Sequence, residues 1–341
     1  MSVRPTLLVA GGAGFIGANF VRHVCEARPA WDVRVLDALT YAGDQSRLAG
    51  LGYELIVGDI ADSEVVRSAL DNVTWLVNFA AETHVDRSLL DAEPFLHTNV
   101  LGTHRLMNAA CLAGLEKAVH VSTDEVYGET YGEAFLESSV LAPRNPYSVS
   151  KAAGDLMVLA TWKTHQLPVC ITRGVNTVGP WQHPEKAVPL FTINAIRGQP
   201  LPVYGRGEQQ RDRLHVDDHA SAILMVLESG KPGEIYNVAA GNNRDNLTVA
   251  RRICERVGAS PDLIQFVEDR AGHDWNYALD NSKLRSLGWS PSYDFEATLD
   301  ATVDWYIESQ DWWQPIVDGI FRDYYAQQYG KRLSQSEEIH G

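Results

Sequence analysis

The stretch Gly11-Gly12-Ala13-Gly14-Phe15-Ile16-Gly17 leaves this chain few folds to choose from. It follows the apolar run Thr6–Ala10 directly and opens a helical pattern over Phe15–Ala27. Gly12, Gly14 and Gly17 fit the spacing G-x-G-x-x-G. Glycines so placed permit a tight turn, let the backbone approach a pyrophosphate and allow the helix to pack close on the strand. The unpaired N–H groups at the helix start then face the phosphates. Asp37 follows Gly17 by 20 residues, at the end of the second apolar run. A carboxylate there accepts from both ribose hydroxyls and repels a 2′-phosphate, which predicts NAD rather than NADP.

The runs Thr6–Ala10, Val33–Leu36, Glu54–Val57, Trp75–Phe79, Ala118–Val121 and Val169–Thr172 read as strands. Between them, helical patterns cover Phe15–Ala27, Ser63–Leu70, Pro94–Ala113 and Tyr147–His165. Strands alternating with helices imply βαβ units and a Rossmann-type, doubly wound parallel sheet. The expected dinucleotide-binding domain is 1–174, joined by later, interleaved segments. After Gly174 the rhythm breaks, with Pro180, Pro184, Pro189, Pro200 and Pro202 crowded together. Residues 175–330 are therefore expected to form a smaller, mixed α/β substrate lobe, and 331–341 a polar tail.

The formal net charge of −15 argues against nucleic acid or an anionic membrane as partner. No segment reaches the roughly 20 apolar residues of a membrane helix, and no signal peptide is evident. Cys25, Cys111, Cys170 and Cys254 are scattered. Their spacing fits neither a metal site nor a disulfide framework, and buried thiols in a reducing cytoplasm are expected.

Two clusters carry chemistry. Tyr147 and Lys151 lie four apart and share one helix face, so the ammonium is expected to lower the tyrosine pKa and ready it as a base. Ser122-Thr123-Asp124-Glu125-Val126-Tyr127-Gly128 follows the Ala118–Val121 strand, where active-site residues of such sheets gather. The adjacent carboxylates suit an acid and a base with split pKa values, or else a solvated pair capping the next element. Asp59-Ile60 follows the third strand and is placed to meet an adenine, although a lone Asp there also caps turns.

With these residues the chain resembles the extended short-chain dehydrogenase/reductases and, within them, the dTDP-glucose 4,6-dehydratases. The matching stretches include "GGAGFIGANFVRH", "VLDALTYAGD", "NFAAETHVDRS", "STDEVYGE", "NPYSVSKAAGD", "GPWQHPEKAVPL" and "LPVYGRGEQQRDRLHVDDH". The resemblance implies that Tyr147, assisted by Lys151 and Thr123, takes the proton of the sugar 4-hydroxyl while hydride passes to NAD. Glu125 then removes the C5 proton, Asp124 protonates the departing 6-hydroxyl, and hydride returns to C6. It also places Gly11, Gly14, Phe15, Ile16, Gly17, Asp37, Thr40, Asp59, Ile60, Ala80, Ala81 and Thr98 at the cofactor, with Tyr147 and Lys151. His84, Asp86, Asn176, Glu185, Lys186, Arg211, Asn246 and His273 fall at the nucleotide sugar. A homodimer joined through the segments Pro94–Ala113 and Tyr147–His165 is implied as well. The chain departs from the family at Thr177 and Val178, where asparagine and tyrosine are common, at Arg213, where tryptophan is common, and at Trp275 and Asn276. The competing readings are the same dehydration on another NDP-hexose, an epimerase or decarboxylase on the same scaffold, or a non-catalytic NAD-binding protein; the last three do not need the Asp–Glu pair.

Overall fold

Seven parallel strands form the centre of the computed structural model, which describes residues 4–269, 274–319 and the single positions 325, 329 and 333. They are β1 (Thr6–Ala10), β2 (Asp32–Asp37), β3 (Glu54–Val57), β4 (Trp75–Asn78), β5 (Lys117–Thr123), β6 (Val169–Gly174) and β7 (Ile235–Val238), in the spatial order 7-6-5-4-1-2-3. The order reverses between β1 and β4, and a crevice opens there at the carboxyl ends of the strands. The strands read as continuous apolar runs because both faces are covered. Leu7 and Val9 pack with Phe20, Val21 and Ile223 on one side, Leu8 and Ala10 with Val66, Leu106 and Val158 on the other.

β2 and β5 run further than expected, to Asp37 and Thr123, so both functional residues end a strand. The segment Pro94–Ala113 is not one α-helix. A short turn at Glu93–Phe95 leads into a π-helical stretch, Leu96–Gly102, before the helix Thr103–Ala113. The wider turn brings Asn99 inward. Its Oδ1 accepts from the Glu82 N–H at 2.9 Å and its Nδ2 donates to Ser150 Oγ at 2.9 Å, tying the loop after β4 to the helix Pro146–His165. "ETHVDRS" contains a short helix, Val85–Leu90, with His84 at its N-cap.

β7 has no counterpart among the expected strands. It joins the sheet after the chain has left β6 and supplied Leu190, Phe191, Leu201 and Val203 to a separate core, which Ile253 and Leu299 complete later in the sequence. Three two-stranded ladders accompany that core. Arg213–His215 runs parallel to Asn176–Val178, Gln210–Arg211 antiparallel to Arg244–Asp245, and Ile264–Val267 parallel to Leu201–Tyr204. Among the described residues no helix is long and apolar enough to cross a membrane, and no cluster of side chains could hold a metal. All four cysteines are free; Cys170 and Cys254 are buried, whereas Cys25 and Cys111 are only partly so.

A polar row crosses the sheet beneath the helix Pro146–His165. Asn78 of β4 meets His120 of β5, and Ser122, Arg173 and Asn237 stand side by side on β5, β6 and β7. Asp155, fully buried, projects from the helix and accepts from Arg173 Nε at 2.9 Å. This pair fixes the helix that carries Tyr147 and Lys151 to the sheet. Asp155→Ala leaves a buried guanidinium unpaired and should destabilise the protein by about 3–5 kcal/mol in urea unfolding. Asp155→Asn should cost less, and an alanine variant as stable as the parent would contradict the assignment.

Candidate active site

The cofactor end of the crevice is shaped by three glycines, but the tight turn is at Gly11 rather than Gly12. Gly11 has φ +73°, and a Cβ on it would lie 2.5 Å from the Ala80 nitrogen. At Gly17 a Cβ would meet the Gly11 carbonyl at 2.2 Å, so the helix start rests on the turn itself. Between them the Ala13 peptide is held from both sides. Its N–H donates to Asp37 Oδ2 at 2.8 Å, while its carbonyl accepts from the Asp44 N–H at 3.0 Å and from Arg47 at 2.9 Å. Asp37 Oδ1 accepts from Leu39 N–H, whose residue has φ +48°.

Gly11, Gly14, Phe15, Ile16, Gly17, Asp37, Thr40, Asp59, Ile60, Ala80, Ala81 and Thr98 all line this crevice. Asp59 serves as a turn residue too, accepting from Ala61 N–H at 2.7 Å, and pairs with His97 at 3.2 Å. Arg47 and His183 also line the cleft and were not singled out from the sequence. Arg47 is buried under Trp312, whose indole N–H donates to Asp44 at 3.0 Å, so a helix near residue 310 braces the cofactor loop. No local pattern announces that contact, since it depends on two segments more than 260 residues apart.

At the end of β5, Thr123, Asp124 and Glu125 enter the same crevice as Tyr147 and Lys151. The Thr123 hydroxyl bonds Asp124 Oδ1 at 3.0 Å and lies within hydrogen-bonding reach of the Tyr147 phenol. Burial, with the charge of Glu125 beside it, pushes Asp124 up to about 8. Asp124 is thus protonated at neutral pH, a carboxyl able to donate. Glu125 accepts from Asn145 Nδ2 at 3.4 Å.

The expected effect of Lys151 on Tyr147 is corrected by the structure. Burial and then Glu125 push the phenol pKa upward, with Thr123 opposing. Lys151 donates to the Val121 carbonyl at 2.8 Å, and burial draws its own pKa down to about 8 despite Asp155. Spacing on a helix puts the two side chains on one face, yet burial and the carboxylates around the phenol, not the ammonium, set the direction of its shift.

On the substrate side, Asn176, Glu185 and Lys186 line the cleft. Glu185 is buried among Tyr41, whose hydroxyl donates at 3.2 Å, Arg87 at 3.4 Å, and His84 and His183 at 3.8 Å. Burial holds both histidines down to about 4, so they are neutral at pH 7. Burial opposes ionisation of Glu185, but its neighbours His84, Lys186, His183 and Arg87 outweigh that and lower its pKa. Asp86 lies in the first turn of Val85–Leu90 and does not line the cleft. Arg211 and Asn246 sit together beyond the cleft walls, joined through Arg213. His273 lies outside the described residues.

The strand order, the turn at Gly11 and the Tyr147–Lys151 pair facing the crevice define an extended short-chain dehydrogenase/reductase. Within that class the chain belongs to the GDP-mannose 4,6 dehydratase family, whose model matches residues 8–302. Among curated relatives, it is similar to the low-salt glycan biosynthesis protein Agl12 of Haloferax volcanii, 48% identical over 88% of this chain and 98% of that protein. A dTDP-glucose 4,6-dehydratase of Streptomyces niveus is 45% identical over 91% of this chain and 95% of its own. Among solved structures, DesIV, the dTDP-glucose 4,6-dehydratase of Streptomyces venezuelae with NAD and dTDP bound, aligns with a TM-score of 0.89 at 44% identity, covering 91% of this chain and 99% of that one. The UDP-glucose 4-epimerase of Thermus thermophilus aligns with a TM-score of 0.84 at 31% identity, over 89% and 99%.

The raised pKa of Asp124 has a measurable consequence for stability. Between its unfolded value near 4 and about 8, the native state holds one more proton than the unfolded state. Stability therefore falls as pH rises through that window. Asp124→Asn abolishes the penalty. Thermal melting should show this variant gaining on the parent from pH 5 to pH 8, while parallel curves would refute a buried, protonated Asp124.

Proposed function

We propose that the chain is an NAD-dependent nucleotide-sugar 4,6-dehydratase that converts dTDP-glucose to dTDP-4-keto-6-deoxyglucose. The observation that carries this reading is the neighbouring Asp124 and Glu125 at the end of β5, in one crevice with Tyr147 and the glycine turn. The similarity to an epimerase shows that the scaffold alone does not select this reaction. An epimerase has no use for a protonated carboxyl beside a carboxylate, whereas elimination of water needs both an acid and a base.

The donor set fits NAD. Backbone N–H groups at Gly14–Gly17 suit the pyrophosphate, and a Cβ at Gly14 would approach only the Gly11 carbonyl, leaving its outer side open. The Asp37 carboxylate suits the adenine ribose, with Thr40, Asp59 and Ile60 along the adenosine and Ala80, Ala81 and Thr98 toward the nicotinamide end. NAD held there would supply the acceptor for the C4 hydride, the donor that returns it to C6, and a positive charge that favours the phenolate. Tyr147 then takes the proton of the 4-hydroxyl, with Thr123 fixing the phenol and Lys151 stabilising the phenolate. A ketone at C4 acidifies C5, and Glu125 removes that proton. Asp124, already protonated, delivers its proton to the 6-hydroxyl so that water leaves, and Glu125 gives its proton back to C5 as C6 is reduced. His84, Asn176, Glu185 and Lys186 face the hexose and its diphosphate, Asp86 supports that wall, and Arg211, Asn246 and His273 complete the nucleotide end.

The protein is further proposed to act in the cytoplasm as a homodimer. Leu96, Leu101 and Leu112 from one helical segment and Val149 and Leu156 from the next are exposed, which suits pairing of these helices with their copies. Light scattering should report a dimer, and Leu156→Glu a shift toward monomer.

Purified protein incubated with dTDP-, UDP-, CDP- and GDP-glucose is expected to remove one water from dTDP-glucose, with mass spectrometry as the readout. Mass unchanged with all four would overturn the dehydratase reading. Glu125→Gln and Asp124→Asn should each lower kcat by roughly 10²- to 10⁴-fold with smaller changes in KM. A fall in kcat above about pH 8, as Asp124 loses its proton, should mark the parent profile.

A further inference from the structure

Two polar atoms in the crevice wall have no hydrogen-bond partner among the described residues, and both belong to side chains held by Thr177. They are Nε2 of His219 and Oε1 of Gln182, each buried, on residues that line the crevice. Leaving a buried donor or acceptor unmet is costly, so such atoms in the wall of a binding cleft point to a ligand.

His219 projects from the helix Val216–Ser229 against the end of β6. Its ring takes the space that a side chain at 174 would fill. A Cβ on Gly174 would lie 2.8 Å from the ring Cε1 and 2.9 Å from Nε2. The bare glycine thus lets the Nε2 edge of the imidazole reach the crevice wall. Burial holds the ring down to about 4, so it is neutral at pH 7 and carries a single proton. Thr177 decides which nitrogen bears it. The Thr177 hydroxyl lies 2.7 Å from Nδ1 and 3.3 Å from the Val175 carbonyl. The shorter contact has the length typical of a hydroxyl donor, so the hydroxyl proton goes to Nδ1 and the ring proton sits on Nε2.

Gln182 is fixed by the same residue. Its Nε2 donates to the Thr177 carbonyl at 2.9 Å, and its own backbone carbonyl accepts from the Tyr306 hydroxyl. A carbonyl can only accept, so the amide cannot be turned round and Oε1 stands as an acceptor. One neutral donor and one neutral acceptor match a primary carboxamide, which accepts at its oxygen and donates from its NH2. The place in the fold selects the same group. Asp37, Asp59 and Ile60 put the adenosine end over β2 and β3. A dinucleotide that crosses the switch between β1 and β4 therefore has its other end over β5 and β6, and Gly174 ends β6.

We propose that His219 and Gln182 recognise the nicotinamide carboxamide: His219 Nε2–H donates to its oxygen, Gln182 Oε1 accepts from its NH2, and Thr177 is the positioning residue for both. The proposal rests on the reading of this crevice as an NAD site. A carboxamide held at both atoms keeps the ring from turning over, so one face can take the hydride and return it.

The test measures displacement of fluorescent NADH from the full-length protein, after the NADH Kd of each variant has been titrated directly. The competitors are NAD, 3-acetylpyridine adenine dinucleotide, which keeps the carbonyl but lacks the NH2, and ADP-ribose, which lacks the nicotinamide. In folded His219→Phe and Gln182→Met, NAD should bind about threefold to tenfold more weakly, as expected for one lost neutral hydrogen bond, and ADP-ribose as in the parent. The acetyl analogue separates the two roles. His219→Phe should weaken it as it weakens NAD, whereas Gln182→Met should leave it unchanged. Thr177→Val should give a smaller loss for NAD, and His219→Gln, which restores an N–H, should recover part of the loss. Where His219→Phe does not fold, the Gln182→Met comparison decides alone. Unchanged NAD binding in the folded variants, or equal losses for NAD and ADP-ribose, would overturn the proposal and leave the NAD site intact. A parent protein that binds none of the three would overturn both.

Discussion

The contact between Gly17 and the carbonyl of Gly11 sets how closely the first helix can approach the first turn, and the rest of the crevice is built around that approach. A methyl group at Gly17 would force the two apart, moving the helix start and with it the N–H groups aimed into the cleft. Because the Ala13 peptide is then gripped by Asp37, Asp44 and Arg47, the turn is held before any ligand arrives. Rigid backbone donors of this kind need no rearrangement to meet an anion, which lowers the entropic cost of binding.

The catalytic end obeys a different constraint. Tyr147 and Lys151 are carried by a helix whose underside is bound to the sheet through Asp155 and Arg173, and to the loop after β4 through Asn99 and Ser150. Their geometry is therefore fixed by buried polar contacts, not by apolar packing alone. The same burial splits the two carboxylates in role: Asp124, desolvated and beside a like charge, keeps its proton.

Much of this was legible in the sequence, for physical reasons that can be named. Glycine spacing after an apolar run reports a turn under steric constraint, and Asp37, Thr123 and Tyr147 follow from position relative to strand ends and helix faces. The spacing takes Gly12 as its first glycine, yet the left-handed turn is at Gly11; the two are adjacent, and only φ distinguishes them. β7 is four residues long and pairs with a strand more than 60 residues earlier, so periodicity could not find it. The π-helical stretch at Leu96–Gly102 carries the same apolar spacing as its neighbours and reads as plain helix. The Tyr147 pKa went astray because spacing reveals a neighbour's charge but not the depth of burial around it.

The brace between Trp312 and the Asp44–Arg47 turn has a bearing on how the protein is made. The loop that closes over the cofactor groove is translated within the first fifty residues, yet the indole that pins it comes from residue 312. A nascent chain can form β1 to β6 in order, but the groove gains this wall only after residue 312 has been made. Contacts of such long sequence separation form late and slowly. The turn beside the groove is therefore braced only in a chain whose distant segments have already met.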